Sequence, residues 1–286
     1  MYWLLLLSVF AASLNSIALN KAKVNKKNEI FVFNLLISLI WFIILFTVNG
    51  FKVNMNRDVI FWGVLYGVTQ TMFILFKNLA MSTGNVSITT LVGNSSLVLS
   101  TIVSLIVWKE SVTTFDIIGL IFLVVALLLC TYCKTDESSS SPAWKFYTLF
   151  FFICAAGVGI VFKAFGKSGN IDKCTDMMVV SSGVMIILYT VISIFVGGFN
   201  TENMSCGRKK FLVYALLSGV LSCVYNRLNV FLSGSLDAMI FFPSFNGGTI
   251  LVSVMLSSLI CREKNSGRQK IGLALGFLSI LLIGIL

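Results

Sequence analysis

The side chains able to do chemistry in this chain are few, and they sit in unusual places. Three bases, Lys77, Lys163 and Arg227, fall within long apolar runs. So do several amides: Asn15, Asn34, Gln70, Asn94, Asn226, Asn229 and Asn246, with Ser95 and Ser96 directly after Asn94. Histidine is absent, which removes the usual general base, the usual proton shuttle and the commonest metal ligand. The acids stand elsewhere. Glu29, Asp58, Asp116, Asp172, Asp176 and Asp237 lie at or before the starts of apolar runs, and Glu110 and Glu263 lie in turns. Acids at such starts favour the helix dipole and cap the first turn. Asp237 is kept as the one coupling candidate. The seven cysteines have no regular spacing, and Cys130-x-x-Cys133 lacks the second pair that a zinc site needs. This set can recognise a solute by charge and hydrogen bonding. It cannot assemble an acid–base pair or a metal centre, so an enzyme is not expected and no cofactor is implied.

The surroundings of these residues explain their cost. The chain has 286 residues, 57% of them hydrophobic and 11% charged, with a mean hydropathy of +0.96. Soluble domains carry about 25% charged residues, so this chain cannot coat a water-facing surface. A net charge of +10 would suit a nucleic-acid partner, but the bases flank apolar blocks, as in membrane proteins. The expected surroundings are therefore a lipid bilayer, with no nucleic acid.

A spanning helix needs about 20 mostly apolar residues. Ten blocks meet that requirement: Met1–Leu19, Phe31–Val48, Val59–Leu79, Val86–Val107, Phe115–Tyr132, Trp144–Phe165, Met177–Phe199, Phe211–Leu232, Ala238–Cys261 and Gly267–Leu286. The first block has no basic stretch ahead of it and no small-residue cleavage site after it, so it reads as a retained helix. The predicted fold is an all-α integral membrane protein. No connector is long enough for a soluble domain, and no G-x-x-x-x-G-K-[ST] loop is present to bind ATP.

Within those spans each Lys or Arg at a helix centre costs about 2.5–3.5 kcal/mol. Lys77 and Lys163 lie close to block ends, where their stems are expected to snorkel to the headgroups. Arg227 is deeper and is expected to face a water-filled cavity and recognise an anion or carboxylate.

The second half repeats the first. At an offset of 153 residues Ser100 meets Ser253, Ser104 meets Ser257, Lys109-Glu110 meets Arg262-Glu263, and Ile118-Gly119-Leu120 meets Ile271-Gly272-Leu273. Upstream the register shifts to 150, where Lys77 faces Arg227 and Gly84 faces Gly234, so three residues enter the second copy near Pro243. The expected organisation is residues 1–133 as one five-helix repeat, 134–143 as a Ser-rich linker, and 144–286 as a second repeat. An odd number of spans per repeat inverts one copy relative to the other. Inverted repeats place a binding site near mid-bilayer where they meet.

Helix, (Lys/Arg)-Glu turn and Gly-containing helix, occurring twice over ten spans, resemble the drug/metabolite transporter superfamily, in particular its ten-helix branch with two EamA-type repeats. The matching residues are Glu110 with Gly119 and Glu263 with Gly272. The family's turn usually reads Gly-Glu-Arg; here Lys109 and Arg262 precede the acids. The resemblance implies a basket of ten helices around a cavity that opens alternately to either side and passes small organic solutes.

The repeat also aligns Gly93-Asn94 with Asn246-Gly247, and Pro243 with Gly247-Gly248 should loosen the ninth span there. Substrate contacts are accordingly expected from Asn15, Trp62, Tyr66, Gln70, Asn94, Ser95, Tyr225, Asn226, Arg227, Phe245 and Asn246, with Phe241 and Phe242 alongside. The expected function is secondary transport of small organic metabolites or drugs by a monomer in the cell membrane, as an exporter; an uptake permease on the same fold and, remotely, an intramembrane enzyme are the alternatives. Lysines and arginines crowd the odd-numbered connectors (Lys21, Lys23, Lys26, Lys27; Lys134, Lys145; Arg208, Lys209, Lys210; Arg262, Lys264, Arg268, Lys270). The positive-inside rule thus puts both termini outside, whereas the family resemblance implies both inside.

Overall fold

A computed structural model of the chain describes residues 1–22, 24, 27–84, 86–110, 112–131, 142–196, 207–260 and 267–285. Glu263, Arg262, Cys133 and most of the 134–143 linker lie outside these. Its helices are α1 (Tyr2–Ala22), α2 (Lys27–Val48), α3 (Arg57–Thr83), α4 (Val86–Trp108), α5 (Thr114–Thr131), α6 (Pro142–Lys167), α7 (Cys174–Phe195), α8 (Arg208–Ser235), α9 (Ala238–Phe242), α10 (Gly248–Ile260) and α11 (Gly267–Ile285). A π-helical turn, Pro243–Gly247, joins α9 to α10, so these two form one span and the chain makes ten. Seven spans carry a long apolar window among the described residues, and α4, α5 and α11 supply shorter apolar helices.

Apolar side chains cover the outside as well as the inside: Trp3, Ile43, Phe61, Ile106, Phe195 and Leu259 are all exposed. Helices that are apolar all round belong in lipid. Several of the serines and threonines that interrupt them are satisfied within the helix, as where Ser13, Thr71 and Thr101 donate to the carbonyls of Val9, Gly67 and Leu97. Asp116 performs the capping expected of it, accepting from the Thr113 N–H while its own N–H donates to Thr113 Oγ1.

The π turn follows from Pro243. Proline has no N–H to donate and its ring crowds the carbonyl four residues back, so the backbone widens by one residue. Asn246 Nδ2 then donates to the Phe242 carbonyl at 3.1 Å, supplying a partner inside the apolar span.

Helix contacts exchange under a two-fold operation that swaps the halves. The α3–α6 pair corresponds to α8–α1, the α3–α7 pair to α8–α2, and the α4–α6 pair to α10–α1; α2–α7 and α5–α11 map onto themselves, and all of these pairs pack. At the axis Ser279 Oγ of α11 donates to the Gly119 carbonyl of α5 at 2.7 Å. Gly119 and Gly272 are both buried, as close packing of helices in lipid requires.

One pair breaks the exchange. Helices α6 and α8 pack together, and α1 and α3 have no contact of that extent. The α6–α8 crossing depends on Gly166 and Gly234: a Cβ placed on Gly166 would lie 2.3 Å from the Gly234 Cα, and one on Gly234 would lie 2.5 Å from the Gly166 Cα. Backbone cannot yield as a side-chain tip can. Gly166→Ala should therefore lower stability by about 1–3 kcal/mol, the usual cost of overpacking, measured as an earlier thermal unfolding transition in detergent. Gly183→Ala, where the added Cβ meets nothing within 4 Å, should leave the transition within a degree or two of wild type.

Candidate functional site

Between the repeats lies a cavity of about 270 Å³. One stripe of α3 lines it, Gln70, Phe73, Lys77 and Met81, at the three- and four-residue spacing that shares a helix face. Opposite stand Gly93, Asn94, Ser96 and Ser100 of α4; Phe151, Ala155, Val158, Gly159 and Phe162 of α6; Tyr225, Asn226 and Asn229 of α8; and Phe241, Phe242, Phe245 and Asn246 around the π turn. Successive spans run antiparallel, so the membrane face that holds Met1 also holds the ends of α4, α6 and α8; it is named the first face. Met81 lies within one turn of the end of α3, so the cavity reaches close to the second face. Toward the first face the aromatic rings of Phe162, Phe241 and Phe242, all buried, form its floor.

Of the residues expected from sequence, Gln70, Asn94, Tyr225, Asn226, Phe245 and Asn246 come together in this lining. Tyr66 and Asn15 stand behind it. Tyr66 is buried and its hydroxyl donates to Asn226 Oδ1 at 3.3 Å, and Asn15 is buried on α1. Trp62 packs in the core between α2, α3 and α7, and Ser95 is half-buried outside the lining.

The three bases reverse their expected places. Arg227 is exposed, and its Nε donates to Thr175 Oγ1 at 3.1 Å on the outside of α8. Lys77 enters the cavity wall in its stead. Helix α3 continues a further turn to Thr83, so Lys77 is no longer at a helix end from which it could snorkel.

Lys163 is fully buried, with no path to the headgroups. Its Nζ lies 2.6 Å from Glu110 Oε1 and donates to the Leu236 carbonyl at 2.7 Å; Lys167 is 3.8 Å from the same Glu110 oxygen. The second Glu110 oxygen, Oε2, accepts the Ala238 N–H at 2.6 Å, which caps α9 from another element. Asp237 occupies the N-cap position itself but makes no side-chain cap bond and is exposed. Glu110 is turned inward at the end of α4, where Lys109 takes a left-handed backbone, φ 50°, the conformation glycine adopts without steric cost. One carboxylate ties α4, α6, α8 and α9 together beneath the aromatic floor and closes the first face. Sequence carried no sign of this pairing beyond the presence of the two residues.

The described residues thus form a helical membrane protein that encloses a polar cavity closed on one side. Residues 1–132, somewhat under half of the chain, match the EamA-like transporter family. A solved crystal structure of a protein superposes with a TM-score of 0.76 at 12% identity, over 99% of this chain and 96% of that one; at that identity it is the fold that is shared. No curated protein matches the sequence.

Removing one partner from a buried ion pair leaves an uncompensated charge and costs about 3–5 kcal/mol. Lys163→Met should lower stability by that order, read as a large drop in the thermal transition in detergent. Adding Glu110→Gln, which retains an acceptor for the Ala238 N–H, should recover at least half of the loss. A single and a double variant that unfold together would show that the pair carries no such coupling.

Proposed function

We propose that the protein is a secondary transporter that moves small organic metabolites or drugs by alternating access, and that it exports them across the cell membrane. The observation that carries this reading is the break in the two-fold exchange. The α6–α8 contact closes the first face, while α1 and α3 on the second face make no contact of that extent, and the cavity approaches that second face at Met81. Two inverted copies of one unit can exchange these roles: forming the α1–α3 contact and releasing α6–α8 would turn the opening to the other side. Among the described residues Lys21, Lys145, Arg208, Lys209, Lys210, Arg268 and Lys270 stand at helix ends on the second face, so the positive-inside rule makes that face cytoplasmic. A solute would then enter from the cytoplasm and leave at the first face, the order an exporter requires.

Two amides set the binding level. Asn94 of α4 and Asn246 of the π turn both line the cavity and fall one position apart in the repeat register. An amide with an open hydrogen-bonding group in a low-dielectric cleft gains from a solute that satisfies it.

Purified protein in vesicles loaded with a mixture of small metabolites should speed the exit of particular members over empty vesicles. Asn94→Ala with Asn246→Ala should cut that rate at least tenfold. Arg227→Gln, outside the cavity, should leave it within twofold. Equal rates from protein-bearing and empty vesicles would sink the transporter reading, and an Arg227 variant as slow as the double amide variant would sink this cavity as the route.

A further inference from the structure

We infer that the cavity selects organic anions: solutes bearing a single carboxylate or phosphate on a ring-containing or hydroxylated body, with Lys77 as the group that recognises the charge. The inference rests on the transport reading above and narrows it to a substrate class.

Lys77 is half-buried and forms part of the cavity wall. Its one described contact is the Phe73 ring one turn back, 6.0 Å from Nζ to the centroid, at the outer limit of a cation–π interaction. Among the described residues no carboxylate is within ion-pair distance of it. The cavity lining otherwise holds amides, hydroxyls, glycines and apolar or aromatic side chains, with no acid. Glu110 is committed to Lys163 and the α9 cap, beyond the aromatic floor. A cation held in a low-dielectric wall without a counter-charge gains most from a ligand that brings one.

The rest of the wall describes the body of that ligand. Phe241 and Phe245 are stacked, 6.0 Å apart with planes 4° off parallel, and Tyr225 lies 6.1 Å from Phe245. Together they offer a flat apolar surface to a ring. Asn94, Asn246, Gln70 and Ser96 offer donors and acceptors to hydroxyls or a carbonyl. A volume of about 270 Å³ admits a molecule between an amino acid and a nucleotide in size. Nothing in the lining would neutralise a ligand ammonium, so amines and diamines are disfavoured. The Arg227 that the repeat places opposite Lys77 points out of the cavity, so the anion preference is built from one half of the pseudo-symmetric pair.

The test uses full-length protein in vesicles loaded with a defined mixture. It contains 4-hydroxyphenylacetate, gluconate, uridine monophosphate and glucose 6-phosphate; their uncharged partners 4-hydroxyphenylacetamide, uridine and glucose; and the cations choline and putrescine. Efflux of each is followed by mass spectrometry for wild type, Lys77→Gln and Lys77→Arg. The expected result is that one or more anions leave at least tenfold faster than their uncharged partners, that Lys77→Gln removes the preference, and that Lys77→Arg retains at least a third of it. Whether carboxylates or phosphates dominate separates the two anion sources. Efflux confined to uncharged or cationic members overturns the anion assignment and leaves the transporter reading intact, and so does an anion preference that survives Lys77→Gln. No accelerated efflux of any member overturns both.

Discussion

A buried ion pair holds one end of this molecule shut. Glu110 and Lys163 meet at 2.6 Å with almost no solvent contact, and their remaining hydrogen-bonding capacity goes to backbone groups at the break between α8 and α9. That break is where a membrane protein is most exposed to loss. A helix that ends inside protein leaves N–H and C=O groups without partners, and lipid offers none. Here the Leu236 carbonyl takes a proton donor from Lys163 and the Ala238 N–H takes an acceptor from Glu110. The charges compensate each other and satisfy the chain ends in the same step, which is the condition under which a buried pair is tolerable.

The remainder of the architecture follows from having two copies of one unit in a single bilayer. Every major helix contact has a counterpart under the two-fold except α6 with α8. Gly166 and Gly234 make that contact possible by letting backbones touch, and the Glu110–Lys163 pair stands beside it. The asymmetry is therefore local: one glycine crossing and one charge pair distinguish the closed face from the face the cavity approaches.

The spans and their number were legible in the sequence, because a bilayer imposes a length and a polarity on each helix that any reading of apolar runs will find. The disturbance of the ninth span was legible too. Pro243 and the Gly247-Gly248 pair cannot continue a regular helix, and the π turn falls where they stand. The alignment of Gly93-Asn94 with Asn246-Gly247 in the repeat pointed to asparagines that do share the cavity lining. The bases were misplaced for a definite reason. Judging Lys77 and Lys163 by distance from the end of an apolar block assumes that water lies beyond the block. In fact α3 and α6 run on past those ends, to Thr83 and Lys167, and Lys163 finds a carboxylate from a turn more than fifty residues away.

What the sequence alone decided is the environment and the count: ten apolar helices, two related halves and the points at which backbone geometry must fail. These follow from local chemistry, since a proline lacks its proton wherever it sits and an apolar stretch seeks lipid whatever its neighbours. What only the tertiary structure decided is which way each charged side chain turns. Lys77 faces the cavity, Arg227 faces outward, and Lys163 is hidden against Glu110. Those choices depend on the rotation of each helix about its own axis and on partners distant in the chain, and a charge inside a membrane is placed by its partner more than by its position.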